Sequence, residues 1–406
     1  MFGKRGVQAF IACAVAVAMA GCGSVDTEPA EDSGSGGGAA AEAQGPIKVG
    51  LVIPQSGVYA PLGEDMKAGW ELYLSQHGGK LGGREVETVV ADEGEGPDTG
   101  VPALQKTIQQ DQADVVVGLV NSATALGVKD LVTSSKKLLL VANAGANDIT
   151  GEDTKYIWRT SFTNEQVAYA IGKHLAGTED GKKGAYAIAA DYAAGEEAIA
   201  GFKRGFQEGG GKLVGEAKTP FGTTQDFQPF LSKIRSSGAG AVYAFYAGAE
   251  AVSFVKQYSE FGLADRAPLY GSGFLTEGGV LKAQGKAAAG IRTSLHYATA
   301  LDNPANTEFA KAYEEAAGRP ATVYAVQTWD AASVLDKALA KAKGTSGDEL
   351  ATALEGLGEI SDSPRGAWKF EAHSPSQDMY LREVEAAEGG AANTVVDTLG
   401  NFAPKP

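Results

Sequence analysis

Ile47-Lys48-Val49-Gly50-Leu51-Val52-Ile53 is a short β-rich run closed by Pro54. Met66, Gly69, Trp70, Tyr73 and Leu74 follow it at i, i+3, i+4, i+7 and i+8. That recurrence is one face of an α-helix, and Gly78-Gly79 stops it. Outward from this strand–helix pair the alternation continues. Strands are expected at 85–91, 114–118 and 138–142, and helices at 101–110, with Pro102 in the first turn, and 124–134. A second run places strands at 185–190, 212–216, 241–246 and 268–271, between helices at 196–208, 227–236 and 250–261. Strands alternating with helices imply βαβ units and parallel sheets. Two such runs imply an α/β chain of two doubly wound, Rossmann-like lobes. A third stretch differs: helices at 307–317, 324–343 and 348–357, then short strands at 368–370 and 379–384. It is expected to complete the two lobes, which requires the chain to cross between them more than once.

Of 406 residues, 35 are Lys or Arg and 50 are Asp or Glu, a formal net charge of −15. Nucleic-acid binding needs a basic face, so that partner is not expected. Both cysteines lie within the first 22 residues, which excludes a disulfide framework and a Cys-based zinc site. Lys4 and Arg5 precede a short apolar run at 9–20, the layout of a secretory signal peptide. Met19-Ala20-Gly21-Cys22 resembles a bacterial lipobox, so residues 1–21 read as a removed leader and Cys22 as the lipidated N-terminus. Residues 22–45 are rich in Ser, Gly, Ala, Asp and Glu without Lys or Arg, a composition that buries no core and acts as a tether. No later run is long and apolar enough to span a bilayer. The expected location is the outer face of a bacterial cell membrane, held by the lipid anchor.

These residues resemble a known family. Ile47 to Leu51 with Gln55-Ser56-Gly57-Val58-Tyr59, Gly78-Gly79-Lys80-Leu81-Gly82-Gly83-Arg84, Val116-Val117-Gly118 with Ser122, Trp158-Arg159-Thr160, Asp191-Tyr192-Ala193-Ala194-Gly195 and Phe254-Val255-Lys256-Gln257 look like the leucine/isoleucine/valine-type solute-binding proteins. Their order and spacing cover the whole globular part. The resemblance implies a type I periplasmic binding protein fold with lobes at 47–160 plus 296–378 and 161–295 plus 379–406, joined by a three-crossover hinge. It implies a receptor that closes on a small molecule and delivers it to an ABC permease with cytoplasmic ATPases. No cofactor or metal is expected, and a monomer is.

In parallel α/β sheets ligands sit beyond the carboxyl ends of the strands. The residues there are Gln55, Ser56 and Tyr59; Val120, Asn121 and Ser122; Asn143 to Ala146, including Ala144; Asp191 and Tyr192; Tyr246 and Gly248; and Gly273 and Phe274. Ser122 precedes a helix, where a hydroxyl and free N–H groups favour a carboxylate; the matching serine binds the ligand carboxylate in the resembled family. Tyr59, Tyr192, Tyr246 and Phe274 are candidate walls. The sequence also departs from that family: Ala146 stands in place of a threonine, Gly273 in place of the glutamate that neutralises an ammonium, and Ala194 in place of an aromatic. Glu277 or Asp191 is left as a substitute acid, without matching spacing. Two ligand classes therefore stand: a branched-chain or related amino acid, ahead as the family default, and an aromatic or other small organic acid.

An exported enzyme is the competing class. His77, His174, His296 and His373 show no H-E-x-x-H spacing, and neither a G-x-S-x-G elbow nor a phosphate-binding loop is present. Gly271-Ser272-Gly273 lacks the third glycine of a dinucleotide fingerprint, and Glu196-Glu197 and Glu314-Glu315 are adjacent, so their members point apart on a helix. Binding rather than catalysis is expected, either for transport or as a lipoprotein sensor for a signalling partner.

Overall fold

A computed structural model describes residues 45–387 and 390–405. The leader, Cys22 and the tether through residue 44 lie outside the described residues. Fifteen strands form two sheets. The first holds β1 (Ile47–Ile53), β2 (Lys80–Leu81), β3 (Arg84–Asp92), β4 (Val115–Gly118), β5 (Leu138–Val141) and β6 (Ile157–Arg159) in the order β2-β3-β1-β4-β5-β6. All its pairs are parallel except the β2–β3 hairpin. The second is built on β7 (Ala185–Asp191), β8 (Leu213–Pro220), β9 (Ala241–Phe245), β10 (Leu269–Ser272) and β11 (Arg292–Leu295), parallel in the order β8-β7-β9-β10-β11. β1 lies between β3 and β4, and β7 between β8 and β9, so the winding direction reverses beside β1 and beside β7. Strands β4, β5 and β9 are buried along their whole length, as strands covered by helices on both faces must be.

The chain passes between the sheets three times. After β6 it enters the helix Asn164–Ala176, which packs on Ala193–Glu208 of the second lobe. After β11 it returns to the helices Pro304–Ala317 and Val323–Lys341, which lie on Ala60–Gln76 of the first. β12 (Glu359–Ile360) and β13 (Trp368–Glu371) then lead into β14 (Ser374–Ala387), which pairs with β13 at its start and with β11 further on. The division expected at 378/379 falls inside this strand. β15 (Gly390–Phe402) pairs back on β14.

One buried guanidinium joins the three passages. Arg365 Nε lies 3.0 Å from Asp330 Oδ2, on the helix that follows the second passage. Its Nη1 donates to Ser161 O, in the first passage, and to Gln377 Oε1, on β14. Both members of the pair are fully buried, and Trp368 covers the Arg365 guanidinium at 4.2 Å.

Several elements differ from expectation. The first helix starts at Ala60, six residues before its apolar face becomes periodic. Pro102 falls inside the helix Pro97–Gln109 rather than in its first turn, because Pro97 takes that place. The helix expected at 124–134 is two, Ser122–Gly127 and Lys129–Ser135, broken at Val128. β6, β11, β15 and the helix Asn164–Ala176 were not expected. Among the described residues no helix is long and apolar enough to cross a membrane.

Candidate functional site

The two reversal points face each other across a narrow cleft, in which side chains of both lobes leave little free space. The first lobe contributes the turn after β4. Leu119 there has φ +67°, a conformation disfavoured for a side chain with a Cβ. Glu93 holds it: its Oε2 accepts the Val120 N–H at 2.7 Å and its Oε1 the Asn121 N–H at 2.8 Å. Glu93 is completely buried, and burial pushes its carboxyl up to about 8, against the two N–H bonds that favour the ionised form. The Asn121 side chain caps the next helix by accepting the N–H groups of Ala123 and Thr124, and its Nδ2 donates to Glu95 O. Its polar atoms are therefore spent on the turn.

Ser122 sits at the first helical position, buried, in the cavity wall. Its Oγ accepts the Ala146 N–H at 3.1 Å. A hydroxyl that accepts still has a proton to donate, and that proton is available to an acceptor in the cleft. Gly145 lets the β5 turn close on the wall: a Cβ there would fall 2.3 Å from Asn164 Oδ1 and 2.5 Å from the Phe162 ring.

The remaining wall is aromatic. Tyr59, Phe162, Tyr192, Phe245, Phe274 and Tyr324 are six of the fourteen lining residues. Phe274 lies 4.6 Å from Phe162, 6.4 Å from Phe245 and 6.2 Å from Tyr324, centroid to centroid. Tyr59 of the first lobe donates its hydroxyl to that of Tyr192 in the second at 3.1 Å, and Phe221 stacks behind Tyr192 at 4.4 Å. Burial raises both phenols above their ordinary range, so both stay neutral. Ala194 and Ala247 are the small lining residues of the second lobe.

No Asp, Glu, Lys, Arg or His is among the lining residues. Glu277 is engaged elsewhere: Arg382 Nη1 donates to its Oε2 at 2.8 Å and the Val323 N–H to its Oε1 at 2.9 Å. Asp191 is exposed and lies 3.5 Å from Lys218 Nζ. Neither substitute acid reaches the cavity.

Of the residues expected from sequence, the structure brings Tyr59, Ser122, Tyr192 and Phe274 together in this cavity, with Val120, Asn143 and Gly145 from the strand-end positions. Ser56 and Asn121 line an outer hollow that shares Tyr192 with it, and the Ser56 hydroxyl donates to Asp92 Oδ2 at 2.7 Å. Ala144 and Ala146 belong to the core behind β5, and the Ala146 N–H is the one on Ser122. Tyr246 points away from the cleft, packing on Phe227 and Phe254 with its hydroxyl 3.2 Å from Thr219 Oγ1. Gly273 lies outside the lining, and a Cβ there would meet Arg382 Nη2 and Leu295 at 2.6 Å. Phe162, Asn164, Phe245 and Tyr324 line the cavity without having been singled out.

A second contact closes the lobes. Glu197, on the helix Ala193–Glu208, accepts the Asn147 N–H through both oxygens, at 3.0 and 2.9 Å, and Asn164 Nδ2 at 3.0 Å. Asn147 follows Ala146, so this carboxylate in the second lobe grips the loop that touches Ser122.

Two doubly wound lobes, three passages between them and a small cavity at the facing reversal points are the architecture of a bilobed solute receptor. The chain belongs to the periplasmic binding protein family, whose model matches residues 46–391. It is 32% identical to Leu/Ile/Val-binding protein homolog 6 of Brucella melitensis over 352 residues, 85% of this chain and 89% of that one. It resembles the solute-binding protein of an R. palustris ABC transporter solved with benzoate, at 39% identity and a TM-score of 0.81, covering 88% of this chain and 98% of the other. A second R. palustris solute-binding protein, solved with 4-hydroxybenzoate, is 30% identical with a TM-score of 0.83, covering 88% and 98%.

Proposed function

We propose that this protein is the extracytoplasmic receptor of an ABC importer and that its ligand is a small aromatic carboxylate. The uncharged, aromatic-lined cavity carries this reading. An amino acid brings a carboxylate and an ammonium, and burying an ammonium without an acidic partner is costly. A benzoate-type acid brings only the carboxylate, which Ser122 serves, and a flat ring suited to the aromatic wall. Benzoate and 4-hydroxybenzoate, the ligands of the two R. palustris relatives, support the choice. The name of the Brucella relative favours a branched-chain amino acid, the class first expected; the lack of a lining carboxylate weighs against it.

In this reading the lobes close on the ligand and present it unchanged to a permease, and Cys22 carries the lipid that keeps the receptor at the membrane. Calorimetry and thermal shift with benzoate, hydroxybenzoates, leucine, isoleucine and valine test the ligand class. A ligand present at about 100 Kd adds roughly 2.7 kcal/mol to stability. Stabilisation by the branched-chain amino acids and not by the aromatic acids would overturn the choice. Recovery of intact ligand after long incubation tests binding against turnover, and mass spectrometry of the N-terminal peptide tests the lipid on Cys22.

A further inference from the structure

Tyr324 lies in the first turn of the buried helix Val323–Lys341 and lines the cavity. It is 1% exposed, and among the described residues its hydroxyl has no hydrogen-bond partner. The other buried phenols of the cavity wall, Tyr59 and Tyr192, bond to each other. Nearby polar groups are committed elsewhere. Gln327, on the same helix face, accepts from Asn143 Nδ2 at 2.6 Å and meets His296 Nε2 at 3.2 Å. Glu277 holds Arg382 and the Val323 N–H. An unpaired buried hydroxyl is unfavourable, and native interiors rarely leave one. When the orphan faces a ligand cavity, the partner it lacks is a polar atom of the ligand.

We infer that the Tyr324 hydroxyl selects for a hydroxyl on the ligand ring, so that the site prefers hydroxylated aromatic acids to benzoate itself. The inference rests on the aromatic-acid reading and adds its selectivity. The carboxylate is placed by Ser122 on the β4 turn, whereas Tyr324 enters from a helix of the other connection. The two polar groups thus come from separate elements of the wall, as recognition of two substituents on one ring requires. A site that bonds a ligand hydroxyl discriminates against the analogue lacking it, because the site's own group is then left unpaired. A 2-hydroxyl differs from the other isomers, since it bonds internally to its own carboxylate.

The test is calorimetry with benzoate, the three monohydroxybenzoates and 4-chlorobenzoate, on the wild type and Tyr324→Phe. The wild type is expected to bind the 3- or the 4-hydroxy isomer at least ~10-fold more tightly than benzoate, 2-hydroxybenzoate or 4-chlorobenzoate. In Tyr324→Phe that preference shrinks to within about threefold, because the hydroxy acid loses a hydrogen bond that benzoate does not make. The wild-type ranking stands by itself if the variant misfolds. Equal wild-type affinities for benzoate and every hydroxy isomer, or a variant that loses all the acids alike, overturns the inference while leaving the aromatic-acid reading intact. Binding of none of these acids removes that reading and this inference with it.

Discussion

Replacing Ser122 with alanine separates the ligand's charge from the fold. The Ser122 hydroxyl accepts the Ala146 N–H at 3.1 Å and keeps its proton for the cleft. Two losses follow. Without the acceptor, the Ala146 N–H is buried unpaired, at about 1–3 kcal/mol. In a folded region of this size each kcal/mol moves Tm by only ~1–2 °C, so the unliganded variant should melt a few degrees lower. The ligand carboxylate loses a charge-assisted hydrogen bond, about 1.5–3 kcal/mol, which is roughly a 10- to 150-fold rise in Kd. Benzamide has the same shape without the charge, and its carbonyl should lose only about 0.5–1.5 kcal/mol. Calorimetry of wild type and Ser122→Ala with 4-hydroxybenzoate, benzoate and benzamide reads both terms. An unchanged benzoate Kd, or an equal loss for benzoate and benzamide, would refute the assignment of Ser122 to the carboxylate.

Three further outcomes follow from the same contacts. Glu197→Ala removes the grip on Asn147 and Asn164; ligand should leave about 5- to 20-fold faster in stopped-flow fluorescence, a loss of about 1–2 kcal/mol, with the association rate nearly unchanged, and an unchanged off-rate denies it a role in closure. Asp330→Asn leaves the buried Arg365 guanidinium without its counter-charge, which should cost about 3–5 kcal/mol in urea unfolding; a cost under about 1 kcal/mol would mean that the pair is no more than a surface-type contact. The folded carboxyl of Glu93, at about 8, lies above its unfolded value near 4.5, so the folded state holds a proton that the unfolded state has released. Its contribution is complete at low pH and is lost as pH rises through the folded value. Urea unfolding between pH 7 and 9 should show falling stability, with a shallower fall in Glu93→Gln; parallel slopes would mean that Glu93 is already ionised in the folded protein.

The α/β alternation was legible because buried parallel strands are short apolar runs and their helices carry a 3.6-residue stripe. β1, β4, β5, β7, β9 and β10 lie within one or two residues of expectation at each end. What escaped lacks that contrast. β11 reads Arg292-Thr293-Ser294-Leu295 and is recognisable only by its place between β10 and β14. β15 is half-exposed with mixed residues. The helix Asn164–Ala176 did announce itself: Thr163 and Gln166 form a capping box, a signal open to sequence reading.

The site was legible by position and less so by side chain. Strand ends locate the cleft, yet on β9 the choice between Phe245 and Tyr246 turns on parity. Adjacent strand residues point to opposite faces; Phe245 reaches the cavity and Tyr246 the core around Phe254. Tyr324 is about 200 residues in sequence from Ser122, and only the second passage of the chain brings it to the same wall. Its orphan hydroxyl is a property of packing and cannot be seen in composition or spacing.

The Arg365 cluster carries a mechanical consequence. Three separate chain connections between two bodies would ordinarily allow bending, twisting and sliding in some mixture. Here Ser161, Gln377 and Asp330 all meet at one guanidinium. Sliding one passage against another would pull that cation from its partners in a place water does not reach, whereas rotation about the cluster keeps all of them. The cluster therefore resists sliding at the joint more than it resists rotation about it. A receptor jointed in this way keeps its two lobes in register while the cleft between them changes.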